Sequence, residues 1–88
     1  MRHSSFGEMN EEDSRNALIK HIGKCIRLKR KEMKWTQERF AQEVGISDKY
    51  VYDIEYGKKS IRVCLLQKIA LALKVAVCDL LPQDKEIL

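Results

Sequence analysis

Residues 36–57, TQERFAQEVGISDKYVYDIEYG, constrain this chain more than any other stretch. Thr36 is a good N-cap, because its hydroxyl accepts from the open amides of a first helical turn. Phe40, Ala41 and Val44 follow at helical spacing, and Gly45 stands where a left-handed residue would end the helix. Ser47 is a second N-cap, and Val51 and Ile54 give the next helix a buried stripe. The pattern predicts helices over about 37–44 and 48–55 with very little chain between them. Such helices must cross steeply, with Ala41 permitting close approach, and the second is held out where it can enter a DNA major groove.

The rest of the chain reads as helical and as one domain. A first helix is expected over about 14–33, with Leu18, Ile22, Cys25 or Ile26, and Met33 inward. After a loop from Tyr56 to Ser60, a helix over about 62–73 turns Leu65, Leu66, Ile69, Ala70 and Leu73 to the core. Val75 leads to a short last helix at about 77–81, which Pro82 stops. Residues 1–13 read as a flexible polar tail, 14–82 as the folded domain and 83–88 as a short C-terminal tail.

Charge is distributed unevenly. Residues 1–16 carry a net of −2, whereas residues 17–81 carry 14 lysines and arginines against seven acids, a net of +7. A folded body this basic favours a polyanionic partner. No apolar run approaches the ~20 residues of a bilayer span, and the polar N-terminus is unlike a secretory leader. A cytoplasmic protein without a membrane association is therefore expected. Cys25, Cys64 and Cys78 have no zinc-type spacing, and an odd count in such a compartment argues against a disulfide framework. They read as small apolar filler on helix faces. His3 falls in the tail and His21 on a helix. No nucleophile–base–orienter set, phosphate-binding glycine loop or carboxylate pair suggests catalysis, so neither an enzyme nor a metal or cofactor site is expected.

These residues resemble the lambda-repressor/Cro-type helix-turn-helix proteins, the xenobiotic-response-element family of bacterial and phage regulators. The anchors are Ile22, Gly23, Ile26, Arg30, Thr36, Gln37, Ala41, Gly45, Ile46, Ser47, Val51, Ile54, Glu55, Gly57, Leu66, Ile69, Ala70, Leu73, Val75, Leu80 and Leu81. Lys34 stands where that family usually has a helix-ending glycine, Ile61 where it often has proline, Phe40 where it usually has leucine, and Trp35 where it usually has an aliphatic residue. Trp35 reads as a core anchor. The resemblance implies an all-α, compact five-helix DNA-binding domain with the helix-turn-helix at its second and third helices.

It also implies roles. Asp48, Lys49, Tyr52 and Asp53 match the base-reading face. Lysine donates to guanine O6 and N7, which makes Lys49 the leading base contact. Tyr52 would meet a thymine methyl or a phosphate. Asp48 and Asp53 would accept from a cytosine amino group or orient Lys49. Gln37 matches a phosphate-bonding glutamine at the start of the second helix. Ser47, Tyr50, Lys58, Lys59, Ser60 and Arg62 complete the phosphate-contacting set, and Lys24, Arg27, Lys29, Lys31 and Lys34 stripe the first helix. Arg30 and Glu55 match an internal ion pair that locks the recognition helix to the body.

Double-stranded DNA is thus the expected partner, bound as a homodimer on a palindromic operator. Val77, Leu80 and Leu81, extended by Ile87 and Leu88, would form the dimer surface or else close the monomer core. The alternatives are an antitoxin or restriction–modification controller acting with a protein partner, or a protein-interaction adaptor that does not bind DNA.

Overall fold

Asn10 opens the first helix, its side chain accepting from the Asp13 amide at 2.8 Å. The computed structural model describes residues 10–83. Helix α1 spans Glu11–Glu32 and so begins three residues before the expected position. Glu11, Glu12 and Asp13 complement the positive end of the helix, and Lys29, Arg30 and Lys31 the negative end. That acidic run is a helix start, not the end of a polar tail. Of the expected tails, 1–13 and 83–88, residues 1–9 and 84–88 lie outside the described residues.

The buried stripe of α1 is Ile22, Gly23, Ile26 and Arg30. Of the two alternatives at the next position, Ile26 is in the core and Cys25 is half-buried. Leu18, expected to face inward, is exposed. Lys34 leaves the helix in the left-handed region at φ 61°, taking the conformation that glycine would adopt most easily there.

Helix α2 covers Gln37–Val44 and α3 covers Asp48–Glu55, with the bounds read from the sequence. The Thr36 hydroxyl accepts from the Arg39 amide and the Ser47 hydroxyl from the Tyr50 amide, each at 3.0 Å. Gly45 has φ 85°, and the amides of Gly45 and Ile46 both donate to the Ala41 carbonyl, closing α2 within two residues.

Helix α4, Val63–Leu73, also ends in a left-handed residue, Lys74, and the Val75 amide donates to the Ala70 carbonyl. The expected fifth α-helix is a single 3-10 turn, Val77–Leu80, its start tied by the Ala76 amide donating to Asp79 Oδ2. Pro82 follows too soon for a longer helix. Among the described residues, the all-α expectation therefore holds with four α-helices and one 3-10 turn.

One core joins all five elements. It contains Ile22, Ile26, Phe40, Ala41, Val44, Val51, Ile54, Leu66, Ile69, Ala70, Leu73 and Leu80. Leu65, Met33 and Trp35 pack partly buried against it, and the Trp35 ring lies 6.4 Å from that of Phe40. Cys64 and Cys78 are exposed and fill no core space. Among the described residues, no helix is long and apolar enough to cross a membrane.

Helices α1 and α3 approach closely at Gly23. A Cβ there would fall inside the shell of the Ile54 carbonyl oxygen and 2.9 Å from that of Glu55. The C-terminal end of α3 therefore rests directly on the backbone of α1, and side-chain absence at Gly23 sets the height of α3 above the body.

Candidate nucleic-acid interface

Three connections hold α3 to the rest of the molecule. The first is the apolar pair Val51 and Ile54, each essentially inaccessible to solvent. The second is the Gly23 crossing. The third is a buried ion pair: Arg30 Nε donates to Glu55 Oε2 at 2.6 Å, and Nη2 donates to Oε1 at 3.0 Å. The remaining guanidinium edge, Nη1, donates to the Trp35 carbonyl at 2.7 Å. Two parallel charge-assisted bonds fix angle as well as distance. The expected Arg30–Glu55 pair is thus present, and it links the last turn of α1, the α1–α2 turn and the last residue of α3.

Gln37 joins this network. Its Nε2 donates to Glu55 Oε1 at 3.0 Å, although it was placed in the phosphate-contacting set. The side chain is half-buried and already oriented by the carboxylate. An amide nitrogen carries two hydrogens, so one is committed to Glu55 and the second remains a donor.

Facing away from the core, α3 exposes Asp48, Lys49 and Tyr52, with Tyr50 half-buried at the edge. Asp53 differs from its expected place on the open base-reading face. Its backbone carbonyl accepts from the Lys58 amide at 2.7 Å, which folds the following turn back across it. The residue is 3% exposed. Its Oδ2 lies 3.4 Å from Lys49 Nζ and 3.6 Å from Lys59 Nζ. Lys59 Nζ also stands 5.6 Å above the Tyr50 ring. Ser47, Lys49, Tyr50, Asp53 and Lys59 line one open cleft at the start of α3.

The other end of the helix carries a stack that sequence reasoning missed. The rings of Tyr52 and Tyr56 are 4.6 Å apart, and the Arg27 guanidinium lies 5.6 Å over Tyr56. Both tyrosines are more than two-fifths exposed. Their four-residue spacing was the available signal, since side chains so spaced share one helix face.

Lys58, Ser60 and Arg62 are exposed in the turn leading to α4. They and Lys49, the one cation of α3, fall within residues 49–62 of the chain. The proposed dimer residues do not stay together as a surface. Leu80 is fully buried in the monomer core, because the 3-10 turn folds it under α1 and α4, while Val77 and Leu81 are half-buried. Ile87 and Leu88 lie outside the described residues. Among those described, no group of three or more His, Cys, Asp or Glu side chains could hold a metal ion.

Comparison with known proteins gives a consistent likeness. Residues 26–80 match the HTH_3 helix-turn-helix family. A hypothetical transcription factor, NHTF, from Neisseria has a similar structure: TM-score 0.72, 32% identity, covering 78% of this chain and 79% of that one. The restriction-modification controller protein C.AhdI from Aeromonas hydrophila follows at TM-score 0.68 and 26% identity, covering 70% of this chain and 94% of that one. SinR, a master regulator for biofilm formation solved in complex with DNA, has TM-score 0.64 and 28% identity, covering 67% of this chain and 95% of that one. No curated protein matches the sequence.

Proposed function

Because this chain belongs to the HTH_3 helix-turn-helix family, we propose that it is a non-enzymatic transcription regulator that binds a palindromic DNA operator as a homodimer. The carrying observation is the doubly capped α2–Gly45–α3 unit, held to the body by the buried Arg30–Glu55 pair while Lys49 and Tyr52 stay exposed. In this reading α3 lies in the major groove, with Lys49 donating to a guanine edge and Tyr52 meeting an adjacent base or phosphate. Asp48 accepts from a cytosine amino group or orients Lys49. The α2 N-terminus, the second Gln37 hydrogen, Ser47 and Tyr50 grip one stretch of backbone; Lys58, Ser60 and Arg62 grip its flank.

An eight-residue recognition helix touches too few base pairs to select one site in a genome. Two copies related by a two-fold axis read half-sites about 34–36 Å apart. With Leu80 in the core, Val77 and Leu81 are what remains, among the described residues, of the sequence-derived dimer surface.

Selection from randomised duplexes tests these points together. The native protein is expected to enrich a two-fold motif with half-sites about one helical turn apart. Lys49→Ala should relax one position in each half-site at a loss of about 1–3 kcal/mol. No enrichment, or the same motif from both proteins, refutes the reading face. The likeness to C.AhdI favours, as a second reading, a controller of a restriction–modification operon. Restriction and methylation genes beside the coding sequence would support that reading, and their absence would remove it.

A further inference from the structure

Asp53 combines burial with unusual partners. Its side chain is 5% exposed, yet the groups that face its carboxylate are the ends of two largely solvated side chains, Lys49 at 82% and Lys59 at 59% exposure. Both ammonium groups approach the same oxygen, Oδ2. A buried carboxylate requires compensating charge. Here that charge comes from Lys49, which the functional reading sends to a base edge, and from Lys59, which the sequence placed among the phosphate contacts.

Resting on that reading, we propose that Asp53 is a specificity-determining residue: a buried counter-charge that withholds Lys49 and Lys59 from DNA phosphates. Random-sequence affinity arises almost entirely from cations that neutralise phosphates and release counterions. If both lysines turned to phosphates, Asp53 would be left buried, unpaired and beside a polyanion. One lysine at a time can leave. When Lys49 reaches a base edge on the preferred site, Lys59 stays between the Tyr50 ring and Oδ2 and keeps Asp53 neutralised. On a random duplex no base contact offsets the separation of Lys49 from Asp53, so the cleft adds little to binding. Asp53 acts here as a positioning residue beneath the reading face and touches no base.

Asp53→Asn keeps the shape and removes the charge. Fluorescence anisotropy across salt concentrations, on a random duplex and on the selected operator, provides the readout, with a circular-dichroism melt to verify folding. Asp53→Asn is expected to bind the random duplex about tenfold more tightly, with the log K against log salt slope steeper by about one to two, and to lose operator preference in proportion. Lys59→Gln in the native background should change the slope by well under one, and in the Asp53→Asn background by about one. An Asp53→Asn protein with unchanged random-duplex binding, weakened only at one base pair of the operator, overturns the proposal in favour of direct base reading. A full unit of slope lost in Lys59→Gln alone overturns it also, and does so whether or not Asp53→Asn folds. Failure of the native protein to bind any duplex in a salt-dependent way would instead sink the DNA-binding reading itself.

Discussion

Replacing Gly23 by alanine isolates the contact on which the position of α3 depends. The new Cβ would fall within the shell of the Ile54 carbonyl oxygen and 2.9 Å from the Glu55 carbonyl oxygen. Both obstacles are backbone, so no rotamer change relieves them and α3 must retreat as a unit. Crowding of this kind typically costs about 1–3 kcal/mol. Retreat also draws Glu55 from Arg30, whose Nε it now meets at 2.6 Å. Losing one side of a buried pair approaches about 3–5 kcal/mol, of which partial separation takes a share. Alanine opposes this with about 1 kcal/mol of helix propensity over glycine. Crowding less propensity leaves a loss of up to about 2 kcal/mol, to which the strained ion pair adds its share; a loss of about 2 kcal/mol is roughly 8–16 °C in Tm for a domain of this size. Thermal and urea unfolding followed by circular dichroism measure it, with exposed Asn16→Ala on the same helix as the control that should gain a few tenths of a kcal/mol. A Gly23→Ala protein that melts at or above the native temperature would show that α1 and α3 are not in backbone contact, and the account of how α3 is held would fall with it.

Arg30→Met should destabilise by about 3–5 kcal/mol in urea titration, since it strands Glu55, while adding Glu55→Leu should recover part of that loss. Lys34→Gly should raise Tm by a few degrees: the left-handed backbone costs a non-glycine residue about 1–2 kcal/mol, and the greater freedom of glycine in the unfolded chain offsets about 0.4–1 kcal/mol of it. A lower melting temperature would contradict the φ of 61° at that position. Leu80→Ala should cost about 2–5 kcal/mol at every protein concentration, as a core residue does; destabilisation that vanishes on dilution would return Leu80 to a subunit interface.

Much of the helix-turn-helix was legible because its signals are local. Thr36 and Ser47 satisfy amides three residues ahead, Gly45 takes a conformation that disfavours other residues, and apolar spacing needs only one turn of chain. These interactions lie within a few residues of one another, so neighbouring letters suffice to set both ends of α2 and the start of α3. The Arg30–Glu55 pair was legible only through family resemblance, because 25 residues separate its members.

What the tertiary structure alone decided is which exposed-looking positions become covered. The Lys58–Lys59 turn folds back on Asp53 and converts an expected groove-facing carboxylate into a buried counter-charge. Gln37 turns to Glu55 because α3 ends beside the start of α2. Leu80 enters the core because a 3-10 turn, not another α-helix, brings the chain under α1 and α4. Gly23 matters because the carbonyl oxygens of a helix more than 30 residues away descend on it. Burial is a property of the segments that meet at a point, and capping and backbone dihedrals are properties of the segment itself. The sequence by itself therefore determined both ends of α2 and the start of α3, and packing determined which charges of α3 the solvent can reach.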